Sequence, residues 1–139
     1  MKIGILKHSG TESLAAVYGP DFLEIPGALQ TLGEKPVTEL RELIMAYGDR
    51  ILELDAQFQK LLKTHPQLTH PLAESEFLPP VPRCPKLFTS RGNSAVFTRV
   101  MKSKLPKQPT MEMRYRFNMA GHNATYVMPE NYDSGGWNF

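Results

Sequence analysis

Leu78-Pro79-Pro80-Val81-Pro82-Arg83-Cys84-Pro85-Lys86 places four prolines in the seven residues from Pro79 to Pro85. Proline fixes φ and lacks a backbone donor, so such a run suits neither a helix interior nor a central strand. It reads as an extended, semi-rigid joint between domains, with a proline-rich docking peptide as the other reading. It divides the chain into residues 1–76, which hold the regular hydrophobic patterns, and residues 77–139, which hold the joint and most of the positive charge.

Upstream of the joint, the spacing of turn residues predicts three short strands. Met1 to Lys7 is the first, and His8 to Ser13 is a turn. Leu14 to Tyr18 is the second strand, followed by a turn at Gly19-Pro20-Asp21. Phe22 to Ile25 is the third, closed by Pro26-Gly27. Helical periodicity starts at Pro36-Val37-Thr38, with Leu40, Leu43, Ile44 and Ala46 on one face and Thr38 as the expected N-cap. Asp49 is the expected cap of a second helix carrying Ile51, Leu52, Leu54, Phe58, Leu61 and Leu62. Its Glu53 and Asp55 read as solvent-facing. Residues 65–72 read as a linker. Beyond the joint, Lys86 to Thr89 restarts a strand, Tyr126 to Pro129 reads as another, and the stretch between is irregular. The predicted class is α+β: a small antiparallel meander with two helices, then further strands.

Charge is unevenly placed. Residues 81–120 carry nine basic residues and one acid, Glu112, for a net +8. The rest carries seven bases and thirteen acids, for −6, which returns the overall +2. Such a segment can attract anions, namely a small carboxylate, an acidic partner or nucleic acid; the other reading is a solvated loop paired with acids of the same chain. No recognition-module motif accompanies the charge, so nucleic acid is the least favoured of the three. No apolar run of membrane-spanning length exists, and residues 1–7 lack the pattern of a secretory leader. A single cysteine, Cys84, excludes an internal disulfide and a cysteine-based zinc site, and reads as a spectator thiol. A reducing, cytoplasmic setting is the expectation.

The residues alone supply no catalytic constellation. His65 and His70 lie five apart beside prolines, a weak metal signal; there is no phosphate-binding glycine loop and no nucleophile elbow.

The joint has a specific likeness. It resembles the Leu-Pro-Pro-x-Pro-Arg-Pro-x-Lys run of the fumarylacetoacetate hydrolase family, with Cys84-Pro85 where the family has Pro-x before the lysine. Members of that family open with a meander and two helices and continue into a catalytic β-roll. The resemblance extends downstream through Asn93, Pro109, Gly121 and Met128-Pro129, and covers the front half of a member. It implies an incomplete β-roll and the chemistry of an acylpyruvate-type C–C hydrolase or decarboxylase.

The departures bear on activity. The family's His and Glu, which activate water, fall on Phe97 and Val100, and neither side chain moves a proton. The lysine that contacts the substrate carboxylate falls on Arg114, which can hold a carboxylate bidentately. The first metal-binding Glu falls on Asn138, close to where the sequence stops at Trp137-Asn138-Phe139. The resemblance therefore implies a chain with no metal cage of its own, and Mg²⁺ or Mn²⁺ only in a complete assembly. The expected site residues are Arg114 first, then Asn93 and Arg91, with His122 last. The expected role is a subunit or fragment that contributes substrate-pocket residues while a complementing chain, or another copy, supplies the metal strand. The alternative is a stand-alone pseudoenzyme that binds a ligand or a protein through the basic segment.

Overall fold

The structure is a computed structural model that describes residues 1–128, 130 and 131. It is a mixed α+β chain. Strands β1 (Lys2–His8), β2 (Thr11–Tyr18) and β3 (Asp21–Glu24) form the expected meander, followed by helices α1 (Ile25–Thr31), α2 (Leu40–Tyr47) and α3 (Ile51–Thr64). Two short strands, β4 (Thr69–Pro71) and β5 (Ser75–Leu78), then join the same sheet, whose order is β4-β3-β2-β1-β5, antiparallel throughout.

Several details depart from the sequence reading. The first turn is two residues rather than six: Ser9 and Gly10 both take positive φ (48° and 81°), and His8 pairs with Thr11. This is the primed geometry whose twist matches the flanking strands. A β-branched residue at Gly10 would sit in the left-handed region, so Gly10→Val is expected to cost about 1–2 kcal/mol. Urea denaturation with an unchanged m-value is the check.

Pro26-Gly27 does not merely close a strand. Proline stands in the first turn of α1, where its missing N–H costs nothing. Gly33 ends that helix in the left-handed region, and the Glu34 N–H reaches back to the Leu29 carbonyl at 2.9 Å. Thr38 is not the cap of α2. Glu39 holds that place, and the Thr38 N–H donates to the Glu42 carboxylate at 3.2 Å. Asp49 does not cap α3 either. It lies in a 3₁₀ turn (Gly48–Arg50) that joins the two helices, and Arg50 bridges Glu34 and Glu53, each at 3.0 Å.

The stretch read as a linker is structural. Residues 66–68 form a 3₁₀ turn, and β4 pairs with β3 at the sheet's edge, where Pro71 needs no donor. β5 carries the sheet on to Leu78, through the 76/77 division.

Strand alternation sends side chains to two faces. Ile5, Leu14, Ala16 and Leu23 face the helices and pack with Ala28, Leu29, Leu43, Leu54, Phe58 and Leu61. Leu6, Ala15 and Phe22 face the other way, under Val17, Leu72 and Phe77. This second face is concave. Only Leu72–Glu74 joins the two edge strands, and His70 of β4 stacks on His8 of β1 with ring centroids 4.7 Å apart. Phe22 lies 5.3 Å from His70, whose Nε2 is 3.5 Å from the Glu24 carboxylate. The sheet is therefore curled until its edges approach.

Beyond Leu78 the character changes. The proline run is not simply extended: it turns, with the Cys84 N–H donating to the Val81 carbonyl at 3.1 Å. Strands β6 (Leu87–Ser90) and β7 (Met111–Arg114) form a separate two-stranded ribbon. Between them the stretch read as irregular contains helix α4 (Ala95–Val100), capped by Ser94. Tyr126 to Met128 form no strand, and Val127 points into solvent rather than onto a sheet. Pro129 and Trp137-Asn138-Phe139 lie outside the described residues. Every buried apolar side chain among the described residues falls between Ile5 and Leu61, and the only buried residue beyond is Thr98.

Candidate functional site

The β6–β7 ribbon brings together three of the four expected site residues. Its register pairs Leu87 with Arg114, Thr89 with Glu112, and Ser90 with Met111. Alternation then divides it into a mostly polar face of Leu87, Thr89, Glu112 and Arg114 and a mostly apolar face of Phe88, Ser90, Met111 and Met113. Phe88 is 52 % exposed, and the two methionines more so.

On the polar face Glu112 sits between two guanidinium groups. Arg91 Nη1 contacts its Oε1, and Arg114 Nη2 donates to its Oε2 at 2.8 Å. Arg114 Nε also donates to Thr89 Oγ1 at 3.4 Å. Asn93 stands at the open end of the ribbon, where both ends of its side-chain amide engage Thr110. Its Nδ2 donates to the Thr110 carbonyl, and its Oδ1 accepts the Thr110 N–H, each at 2.8 Å. The Thr110 hydroxyl donates to the Arg91 carbonyl, and the Arg91 N–H donates to the Thr110 carbonyl at 3.2 Å. Asn93 thus substitutes for a further rung of the ladder and fixes the backbone from which Arg91 projects. The arrangement holds a carboxylate, that of Glu112, in charge-assisted hydrogen bonds.

His122 is elsewhere. Its ring meets Phe77 edge-on with centroids 5.9 Å apart, beside β5, over a cleft lined by Leu72, Ser75 and Phe77. Phe97 and Val100 lie exposed on α4. Among the described residues, no group of three His, Cys, Asp or Glu side chains converges as a metal site. His65 contacts Thr64 at the end of α3, whereas His70 belongs to the stacked rings of the concave face, so the two do not form a pair.

The sequence reading missed two features. One is Glu112 as the centre of the arginine pair; its signal was its isolation as the one acid in residues 81–120. The other is Asp55, which does not face solvent as its mid-helix position suggests. It accepts the Tyr18 hydroxyl at 2.6 Å and lies 3.4 Å from the N-terminal amine. The Tyr18 hydrogen bond holds the Asp55 carboxyl below its ordinary range, and burial together with Asp55 raises the Tyr18 phenol well above its own.

No protein-family model matches this chain, and no curated protein matches it. No helix among the described residues is long and apolar enough to cross a membrane.

Proposed function

We propose that this chain is a carboxylate-binding component of an assembly of the fumarylacetoacetate hydrolase type, acting on a small oxo acid together with a complementing chain or another copy. The observation that carries this reading is the convergence of Arg91 and Arg114 on one carboxylate, that of Glu112. Arg114 is the residue on which the family's carboxylate contact falls, and the ribbon presents it beside a second arginine. Arg91 and Arg114 bind and orient the acid, and Asn93 positions Arg91 through Thr110.

The exposed apolar side chains support dependence on a partner. Among the described residues, fourteen of the seventeen exposed large apolar side chains lie between Val81 and Met128. A two-stranded ribbon without a covering layer is marginal in water. A second surface laid on Phe88, Met111 and Met113 would stabilise it by removing apolar area from solvent.

The Mg²⁺ or Mn²⁺ of a complete assembly finds no fitting group of three ligands among the described residues, and no step here runs through it. What this chain contributes is binding and orientation of the acid.

The second reading, a stand-alone binding module, rests on the nine basic residues of 81–120, all of which are exposed. Titration calorimetry with pyruvate and oxaloacetate tests the first. Arg114→Ala is expected to weaken binding about tenfold or more, the scale of a charge-assisted hydrogen bond. Unchanged affinity would remove the carboxylate role. Native mass spectrometry of the purified chain separates the two readings: an assembly supports partner dependence, and a folded monomer alone counts against it.

A further inference from the structure

We infer that Glu112 is a tethered competitor for the ligand of the Arg91–Arg114 pair: its side chain holds the place that an incoming carboxylate takes, and the ligand binds by displacing it. The inference deepens the carboxylate-binding reading and rests on it for the ligand class, but its own core is narrower. It states that the two arginines form an anion site which the chain itself fills.

Three observations converge. First, the two oxygens of Glu112 are divided between the arginines, Oε1 to Arg91 and Oε2 to Arg114. A guanidinium carries five N–H donors, so each arginine keeps donors in excess of what Glu112 accepts. The three side chains together carry a net +1. Second, the cluster is reachable, with side-chain exposures of 75 % for Arg91, 48 % for Arg114 and 30 % for Glu112. Third, the two arms differ. Arg114 is set in β7 and donates to Thr89 as well. Arg91 lies one residue past the end of β6 and has the more exposed side chain, so it is the arm that exchanges partners.

A tethered carboxylate competes at an effective concentration on the order of millimolar. The wild-type chain should therefore bind carboxylates weakly, and the strength of the Glu112 contact should set the threshold. Replacing Glu112 by glutamine keeps its size, raises the cluster from +1 to +2 and leaves both guanidiniums without their anion.

The test measures the dissociation constants of pyruvate, oxaloacetate and inorganic sulfate by titration calorimetry on the full chain, for wild type, Glu112→Gln and Glu112→Gln/Arg114→Ala. Glu112→Gln is expected to tighten binding roughly threefold to tenfold, the range that two exposed ion pairs command. The double variant is expected to lose that gain. If the pyruvate and oxaloacetate constants fall more than that of sulfate, the competitor role and the oxo-acid reading both stand. If all three fall equally, the competitor role stands and oxo-acid selectivity is removed. If none falls, the competitor role is overturned, even where Arg114→Ala still abolishes binding and so preserves the simpler reading. Should glutamine unfold the ribbon, Glu112→Asp shortens the reach at constant charge. A smaller gain is then expected, and no gain overturns the inference.

Discussion

Phe58→Ala is expected to cost about 3–5 kcal/mol, the range for emptying a fully buried aromatic site. Phe58 is completely buried on α3 and belongs to the cluster that joins α1, α2 and α3 to the sheet. The loss would be a large fraction of the total, because a domain of this size has only about 5–15 kcal/mol to lose. The cluster of Leu6, Ala15 and Phe22 on the opposite face of the sheet is much smaller, and among the described residues no buried apolar side chain lies outside Ile5 to Leu61 to share the load. Leu52→Ala on the same helix is the control. Leu52 is 82 % exposed, and its truncation should stay within about 0.5 kcal/mol. Urea unfolding followed by circular dichroism separates the two; similar costs at both positions would contradict this placement of the core.

The second large effect belongs to Asp55. Asp55→Ala removes the acceptor of the Tyr18 hydroxyl and the partner of the N-terminal amine. A cost of about 1–3 kcal/mol is expected, since a partly buried phenol then loses a charged partner. The pH dependence carries the more specific signature. The Asp55 carboxyl titrates lower in the folded chain than in the unfolded one, first because Tyr18 donates to it. Its contribution is therefore present above about pH 4, the ordinary carboxylate value, and fades as pH falls through the lower folded value. Tyr18 is shifted the other way, first by burial and then by Asp55. The fold favours the neutral phenol, so its contribution is complete below about pH 10 and declines as pH rises beyond. Wild type should show a plateau with losses at both ends. Tyr18→Phe should flatten the alkaline limb, and Asp55→Ala should flatten the acid limb and shrink the alkaline one. Denaturation midpoints measured from pH 2 to 11 supply the check.

Much of the front of the chain was legible. The meander was visible because turn residues punctuate it at short intervals, and α2 and α3 because their apolar residues repeat with helical spacing. α1 was missed although its signals were present, with Pro26 in the first turn and Gly33 past the end. Seven residues are too few for periodicity to register, so only the terminal signals identify it. β4 was missed for a related reason: a three-residue strand containing Pro71 has no alternation to read, and only its partner β3 defines it. α4 looked irregular because Ala95–Val100 carries its apolar side chains outward, so no buried face marks it.

The candidate site divides along the same line. Arg91, Asn93 and Arg114 were singled out from residue type and from the family likeness, and the ribbon brings them to one place. Their geometry was not legible. Arg114 is only two residues from Glu112, but the strand register brings Arg91 to the same carboxylate across 21 residues, sets Arg114 on Thr89 across 25 and turns Asn93 into a support for Arg91 through Thr110 across 17. No local pattern encodes such pairings.

By itself the sequence determined the α+β class, the existence of α2 and α3 and the concentration of positive charge after the proline run, although Ile44, Ala46 and Leu52 of the expected apolar stripes lie exposed. All of these are sums or short-range periodicities that a chain carries before it folds. Only the tertiary structure decided that residues 66–78 complete the sheet and that His8 and His70 meet across it. It also decided that the two arginines share a single carboxylate. Each is a pairing between distant segments, and its energy exists only once the backbone hydrogen bonds of the sheet and ribbon have set the register.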